Sequence, residues 1–172
     1  AHLANSMGNL LNRSLSMLVK YFDGEIKEEF LTNRSKEAES LLRTALGTIK
    51  IVENHFNHFE IQEAAQAIIS IVDATNKFVT DNAPWTLAKE EKMTECGQVL
   101  ATVLEVMCVI SSLIYPYCPN IAADMAKQLS YDLSKKLDDV TTTNLKAGKL
   151  ISKEEIHPVS VSYTHLRAHE TT

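Results

Sequence analysis

The chain has 172 residues, 45% of them apolar, with 22 acids against 17 bases for a net charge of −5. That length fits about one domain, the composition excludes wholesale disorder, and the acidic balance argues against a general nucleic-acid binder, which ordinarily carries a basic excess. Five glycines and four prolines are under half the roughly 12% of ordinary usage, which disfavours a turn-dense sandwich or barrel and predicts long helices with few connections.

The first predicted helix covers residues 3–22, where Leu3, Met7, Leu10, Leu11, Leu15, Leu18 and Phe22 recur at spacings of three and four. Asp23-Gly24 ends it, and residues 25–34 read as a polar connection. Ser35 caps a second helix reaching about residue 55, with acids in its first turn. Residues 54–59 read as a short link. A third helix over 60–80 carries a stripe wide enough to be buried on more than one side. Asp81-Asn82-Ala83-Pro84-Trp85 breaks it, because proline cannot continue a helix interior and turns Ala83 away from helical angles. A short helical turn follows through residue 92.

Residues 94–115 form the most apolar predicted helix, which belongs at the centre of the bundle. Tyr115-Pro116-Tyr117-Cys118-Pro119 turns the chain into a fifth helix over residues 120–129 or 130. Beyond Leu137 the sequence is polar. The expected fold is all-α: an antiparallel bundle of about five helices with a polar C-terminal extension. No run of about 18 apolar residues stands out as a membrane span, so no membrane partner is expected. Cys96, Cys108 and Cys118 are odd in number and widely spaced, which reads as reduced thiols in a reducing compartment. Ala1 in place of Met, with no signal-peptide pattern after it, reads as the start of an internal fragment.

Enzymatic motifs are missing: there is no phosphate-binding or dinucleotide-binding glycine loop and no H-E-x-x-H. His55/His58 and His165/His169 have helical spacings, but neither pair has the cysteine or carboxylate company of a metal site; both read as surface histidines, and no metal is expected. The acid pairs Glu37/Glu39, Glu90/Glu91 and Asp138/Asp139 read as solvated faces or helix-end charges. Three residues stand apart. Asn9 and Arg13 lie four apart on the first helix, off its leucine stripe, on a stretch from Ala1 to Phe22 that holds no acid. An asparagine amide and an arginine fork suit the edge and face of an unpaired base. Trp85, the one tryptophan, follows a proline at a helix break, where it would serve as a stacking platform. An ordinary exposed polar pair, and a core tryptophan, are the alternatives.

Ala4-Asn5-Ser6-Met7-Gly8-Asn9-Leu10-Leu11-Asn12-Arg13 resembles the opening helix of the methionyl-tRNA synthetase anticodon-binding domain, which reads roughly A-N-x-x-G-N-L-x-x-R, in its bacterial and organellar form. Asp81-Asn82-Ala83-Pro84-Trp85-Thr86-Leu87-Ala88-Lys89 is similar to the family's second hallmark, shortened by about one residue. Asp73 to Phe78, the Ile114-to-Pro119 turn and Ala147-Gly148-Lys149-Leu150-Ile151 are similar to further family segments.

The resemblance implies a domain over residues 1–158 that binds the CAU anticodon of methionine tRNA through Asn9, Arg13 and Trp85. Asn5, Gly8 and Asn12 would shape the helix and its packing, Gly8 by letting a neighbouring helix approach. It implies a methionine–tRNA ligase whose catalytic domain, the site for ATP and methionine, is absent from this fragment. No catalytic residue and no cofactor is therefore expected here, no DNA partner, and a cytoplasmic or organellar location. A sister class I synthetase bundle (valine, isoleucine, leucine or cysteine) or a non-catalytic interaction module are the competing readings. Residues 159–172 depart from the family and resemble translated cloning-adaptor sequence, so the histidine pair there carries no weight.

Overall fold

The computed structural model describes residues 2–159. It is an all-α bundle in the order α1 (His2–Phe22), α2 (Lys36–Asn57), α3 (Ile61–Asn82), α4 (Pro84–Lys89), α5 (Met93–Ile114) and α6 (Pro119–Gln128), with a two-stranded ribbon of β1 (Glu25–Ile26) and β2 (Gly148–Lys149). The five long helices and the short α4 turn match the expectation. The main differences lie at the ends and between helices.

The core is built around α5. Every residue from Cys96 to Ile114 except Gln98 is buried, because four neighbours, α1, α2, α3 and α6, pack around it along with α4. By length and composition α5 could cross a membrane, yet 94% of its most apolar window is covered by the bundle. The helix is therefore the core rod, with its apolar surface taken up by other helices. α1 lays Met7, Leu10, Leu11, Leu15 and Leu18 against it, all almost fully buried. α3 is less enclosed than its wide stripe predicts. Ile68, Ile71, Val72, Phe78 and Val79 are buried, but Ile61 stays 48% exposed.

The segment 25–34, read as a polar connection, is a structural clasp. Ile26 and Phe30 are essentially inaccessible. Phe30 packs edge-on against Phe22, with ring centroids 4.6 Å apart, and burying one such side chain contributes about 2–3 kcal/mol. A Cβ built on Gly97 would fall 2.2 Å from the Phe30 ring, so only glycine lets α5 pass there. Ile26 and Phe30 stand in a stretch too short and too rich in charge to betray a period.

The polar extension is also packed. β2 pairs antiparallel with β1, Glu25 opposite Lys149 and Ile26 opposite Gly148. Val140, Leu145 and Ile151 are buried. Glu105, buried in the middle of α5, accepts the backbone N–H groups of Asn144 at 2.5 Å and Leu145 at 2.9 Å. Burial pushes its carboxyl up from the usual range, and those hydrogen bonds pull against it. Gly24 has φ +76°, and a Cβ there would fall 1.8 Å from the Ile151 carbonyl, so the strap crosses the end of α1 only over glycine. The strap then caps itself through Ser152 and Glu155. Finally, His157 meets Asp124 of α6 at 2.5 Å.

Candidate nucleic-acid interface

α3 does not stop at Thr80 as the sequence predicts. It runs to Asn82, supported by a Lys77–Asp81 pair at 2.7 Å and by the Asn82 side-chain amide donating to the Phe78 carbonyl at 2.9 Å. Ala83 then turns into the left-handed region, φ 40° and ψ 71°, and serves as the end of α3 and the start of α4 at once. Pro84, buried at the first position of α4, needs no N–H there and holds the corner rigid. Trp85 projects from this corner, 40% exposed.

The corner lies beside α1. The Arg13 guanidinium carbon is 5.8 Å from the centroid of the Trp85 ring, within the range at which a cation is attracted to an indole face. Asn9 lies one turn earlier on the same face, and both α1 residues are exposed. α1 is set against α3 through the Asn76 amide donating to the Ser6 hydroxyl at 3.2 Å. The structure thus brings Asn9, Arg13 and Trp85 together on one surface from two elements about 70 residues apart in sequence.

Charge at this surface is locally positive. The first turns of α1 hold no acid, Lys20 continues its cationic side next to Tyr21, and Lys89 ends α4. The closest acid along the chain, Asp81, is engaged by Lys77, whose own pKa that contact raises. A flat, partly exposed indole with a guanidinium beside it can stack an unpaired base, and the fork and the Asn9 amide can bond its edge.

The resemblance gives Asn5 and Asn12 a packing role. Asn5 is exposed and Asn12 half-buried, and no side-chain hydrogen bond ties either to another described residue. What approaches Gly8 is not a helix but the strap: a Cβ on Gly8 would lie 3.5 Å from the Val159 Cβ. Ala4, Asn5, Gly8, Asn9, Asn12, Pro158 and Val159 line a cleft of about 280 Å³. The sequence places Val159 in the departing tail and Pro158 at its boundary, so neither signals this wall. His55 and His58 use separate partners, the Glu60 carboxylate at 3.3 Å and the Asn54 carbonyl at 2.8 Å. His165 and His169 lie outside the described residues.

A family model described as the anticodon binding domain of methionyl tRNA ligase matches residues 32–164, a span that includes Trp85 and begins after Asn9 and Arg13. The methionine–tRNA ligase of Nostoc sp. is 35% identical over 161 residues, covering 91% of this chain and 30% of that protein. That of Listeria monocytogenes serotype 4b is 33% identical over 172 residues, covering 94% and 26%. The crystal structure of the apo form of Mycobacterium tuberculosis methionyl-tRNA synthetase superposes with a TM-score of 0.83 at 27% identity, over 95% of this chain and 33% of that one. The chain thus spans 26–33% of the length of these relatives.

Proposed function

Because the chain belongs to the anticodon-binding domain family of methionyl-tRNA synthetase, we propose that it binds the anticodon loop of methionine tRNA and reads CAU. The observation that carries this reading is the Arg13 guanidinium held 5.8 Å from a partly exposed Trp85 at a proline-braced corner. When a loop base leaves its stack, Trp85 replaces the lost neighbour. Arg13 and Asn9 bond the edge of that base, the first of the anticodon. The corner is rigid before RNA arrives, so little ordering cost is added on binding.

In the whole protein this docking would orient tRNA for a methionine–tRNA ligase, which joins methionine to tRNA with ATP. That chemistry would belong to a catalytic domain outside this chain, and no residue here is assigned a catalytic step. A sister synthetase bundle predicts preference for another anticodon, and a protein-holding bundle predicts no salt-dependent RNA binding. The test is anisotropy of labelled tRNA with the chain, its Trp85→Ala variant and, as a control, Arg43→Ala at an exposed position of α2. Loss of one stacked base contributes about 1–3 kcal/mol. Trp85→Ala should therefore weaken binding roughly 5- to 150-fold, with Arg43→Ala nearly silent. Equal effects of the two substitutions contradict the proposal.

A further inference from the structure

Resting on that reading and extending it away from the bases, we propose that the cleft between the strap and the chain just after α6 is a seat for RNA backbone phosphate, which holds the stem that follows the anticodon loop. The cleft encloses about 330 Å³ and is lined by Ser130, Tyr131, Lys135, Asn144, Lys146 and Lys149. Three ammonium groups, an amide, a hydroxyl and a phenol thus border one concave surface, and a phosphate oxygen can accept from each of them.

The charge balance there is the reverse of the chain's average. Asp132 is the one carboxylate in the lining, and it already accepts the Ser134 backbone N–H at 2.9 Å. Lys149 is partly neutralised, with Asp23 at 3.5 Å and Glu25 opposite it in the ribbon. Lys135 and Lys146 form no ion pair with a described residue; Lys135 acts on the Asp132 charge only from a distance. The lining is also built before an anion arrives. The Lys135 ammonium lies 5.4 Å from the Tyr131 ring centroid and donates to the Asn144 side-chain carbonyl at 3.4 Å. The Tyr131 hydroxyl meets the Ser112 hydroxyl of α5 at 2.7 Å. Glu105 pins the backbone of Asn144 and Leu145, so Lys146, next in the chain, leaves from a fixed point.

The direction of α1 ties this cleft to the Trp85 corner. Residues 1–12 include no lysine or arginine, whereas Arg13 and Lys20 follow, seven residues and nearly two turns apart, so they share a face. At the end of the helix Lys149 donates to the Asp23 carbonyl at 2.5 Å. Asp23 is ten residues beyond Arg13, about 15 Å along the axis, and stacked nucleotides advance about 3.4 Å each. A strand leaving the base on Trp85 therefore reaches the cleft after about four or five nucleotides, where an anticodon loop has closed into its stem. Cations run from the corner towards the cleft and not the other way.

The test is a set of anisotropy titrations with two labelled hairpins, one with the CAU loop and one with another anticodon, each at several salt concentrations. Lys146→Ala removes a side chain that bonds to no other described residue, so the melting temperature should not change. It should weaken both hairpins by the same factor, about threefold or more at low salt, and lower the slope of log affinity against log salt by about one. Lys135→Ala together with Lys146→Ala should lower it by about two. Trp85→Ala should do the converse, removing the preference for CAU with the slope kept. A CAU hairpin with uncharged methylphosphonate linkages about four to five nucleotides from the anticodon should bind Lys146→Ala and the unsubstituted chain equally. The seat is overturned if Lys146→Ala leaves the slope unchanged, if Arg43→Ala lowers it as much, or if the difference persists on the methylphosphonate hairpin. If the unsubstituted chain binds neither hairpin, the anticodon reading falls and the seat with it; a Trp85-dependent preference for CAU with indifference at Lys146 overturns the seat alone.

Discussion

α3 ends at both poles in the same unusual way. Phe59 precedes it and Ala83 follows it, and both are non-glycine residues in the left-handed region, φ 59° and 40°. Each corner also presents an exposed aromatic, Phe59 at 88% and Trp85 at 40%. The similarity ends there. Trp85 is braced by a buried proline and accompanied by Arg13, beside a helix, α1, that holds no acid. Phe59 is flanked by His58 and by Glu60, which is turned to His55, and no cation is positioned over its ring among the described residues. On the proposed reading, exposure of an aromatic side chain is not enough to make a binding surface; a rigid mount and a complementary charge are needed as well.

The largest expected difference between the corners is in RNA binding. Trp85→Ala should reduce tRNA affinity by roughly 5- to 150-fold, whereas Phe59→Ala should leave it within about twofold. A comparable loss at both positions, measured by anisotropy at one salt concentration, would dissolve the contrast.

Stability must be kept apart from contact in such comparisons, and Glu105 does this. Glu105→Ala strips the acceptor from two N–H groups, that of half-buried Asn144 and that of buried Leu145. Each unsatisfied group costs about 1–3 kcal/mol, so chemical denaturation should show a loss of about 2–5 kcal/mol. Glu105→Gln keeps one carbonyl acceptor and should lose about half of that. Neither change touches the face that carries Trp85.

Backbone strain sharpens the contrast further. A non-glycine residue in the left-handed region costs about 1–2 kcal/mol, and glycine relieves part of it. Phe59→Gly should stabilise the fold by up to about 1 kcal/mol with RNA affinity unchanged, because little packing is lost from so exposed a ring. Ala83→Gly should relieve similar strain while loosening the mount of Trp85, so its affinity should fall. Unchanged affinity in Ala83→Gly would show that corner rigidity contributes nothing.

The smallest effect concerns pH. The Asp124 carboxylate, then the Glu155 carbonyl, hold the His157 imidazole above its ordinary pKa. A pKa raised in the folded state means that the contact is fully stabilising below about pH 6.5, the unfolded value. It is lost as pH rises through the folded value. The histidine side chain is 47% exposed, so screening keeps the contribution under about 1 kcal/mol. With the intrinsic base-catalysed rate divided out, protection of the amides near Pro158 should fall as pH rises through the folded value, and Asp124→Asn should remove that fall and return the His157 titration towards its ordinary value.

The rod α5 was legible because its apolar residues are contiguous, and the corner at Pro84 because proline imposes it. Asn9, Arg13 and Trp85 stood out as residues too polar, or too exposed by their setting, for the core stripes. Their approach was not legible, because it depends on how α1 lies across α3, set by contacts such as Ser6 with Asn76. The clasp at Ile26 and Phe30 and the strap at Leu145 and Ile151 were hidden for a related reason: each lies in a stretch too short to show a period, and much of its cover comes from far along the chain, as Gly97 does for Phe30 and Gly24 for Ile151, whereas periodicity reports only near neighbours. The net charge of −5 averages over a first helix whose charged side chains are all basic, so it hides the local charge of that helix.

The central claim is that the corner of α1 and α4 reads an anticodon. Its most direct test is a titration of the chain with two labelled hairpins of identical stem, one with a CAU loop and one with another anticodon, over a range of salt. The account predicts salt-dependent binding with a preference for CAU of about tenfold or more, and loss of most of that preference in Trp85→Ala. Equal affinity for both hairpins, or a preference for CAU that survives Trp85→Ala undiminished, would contradict it.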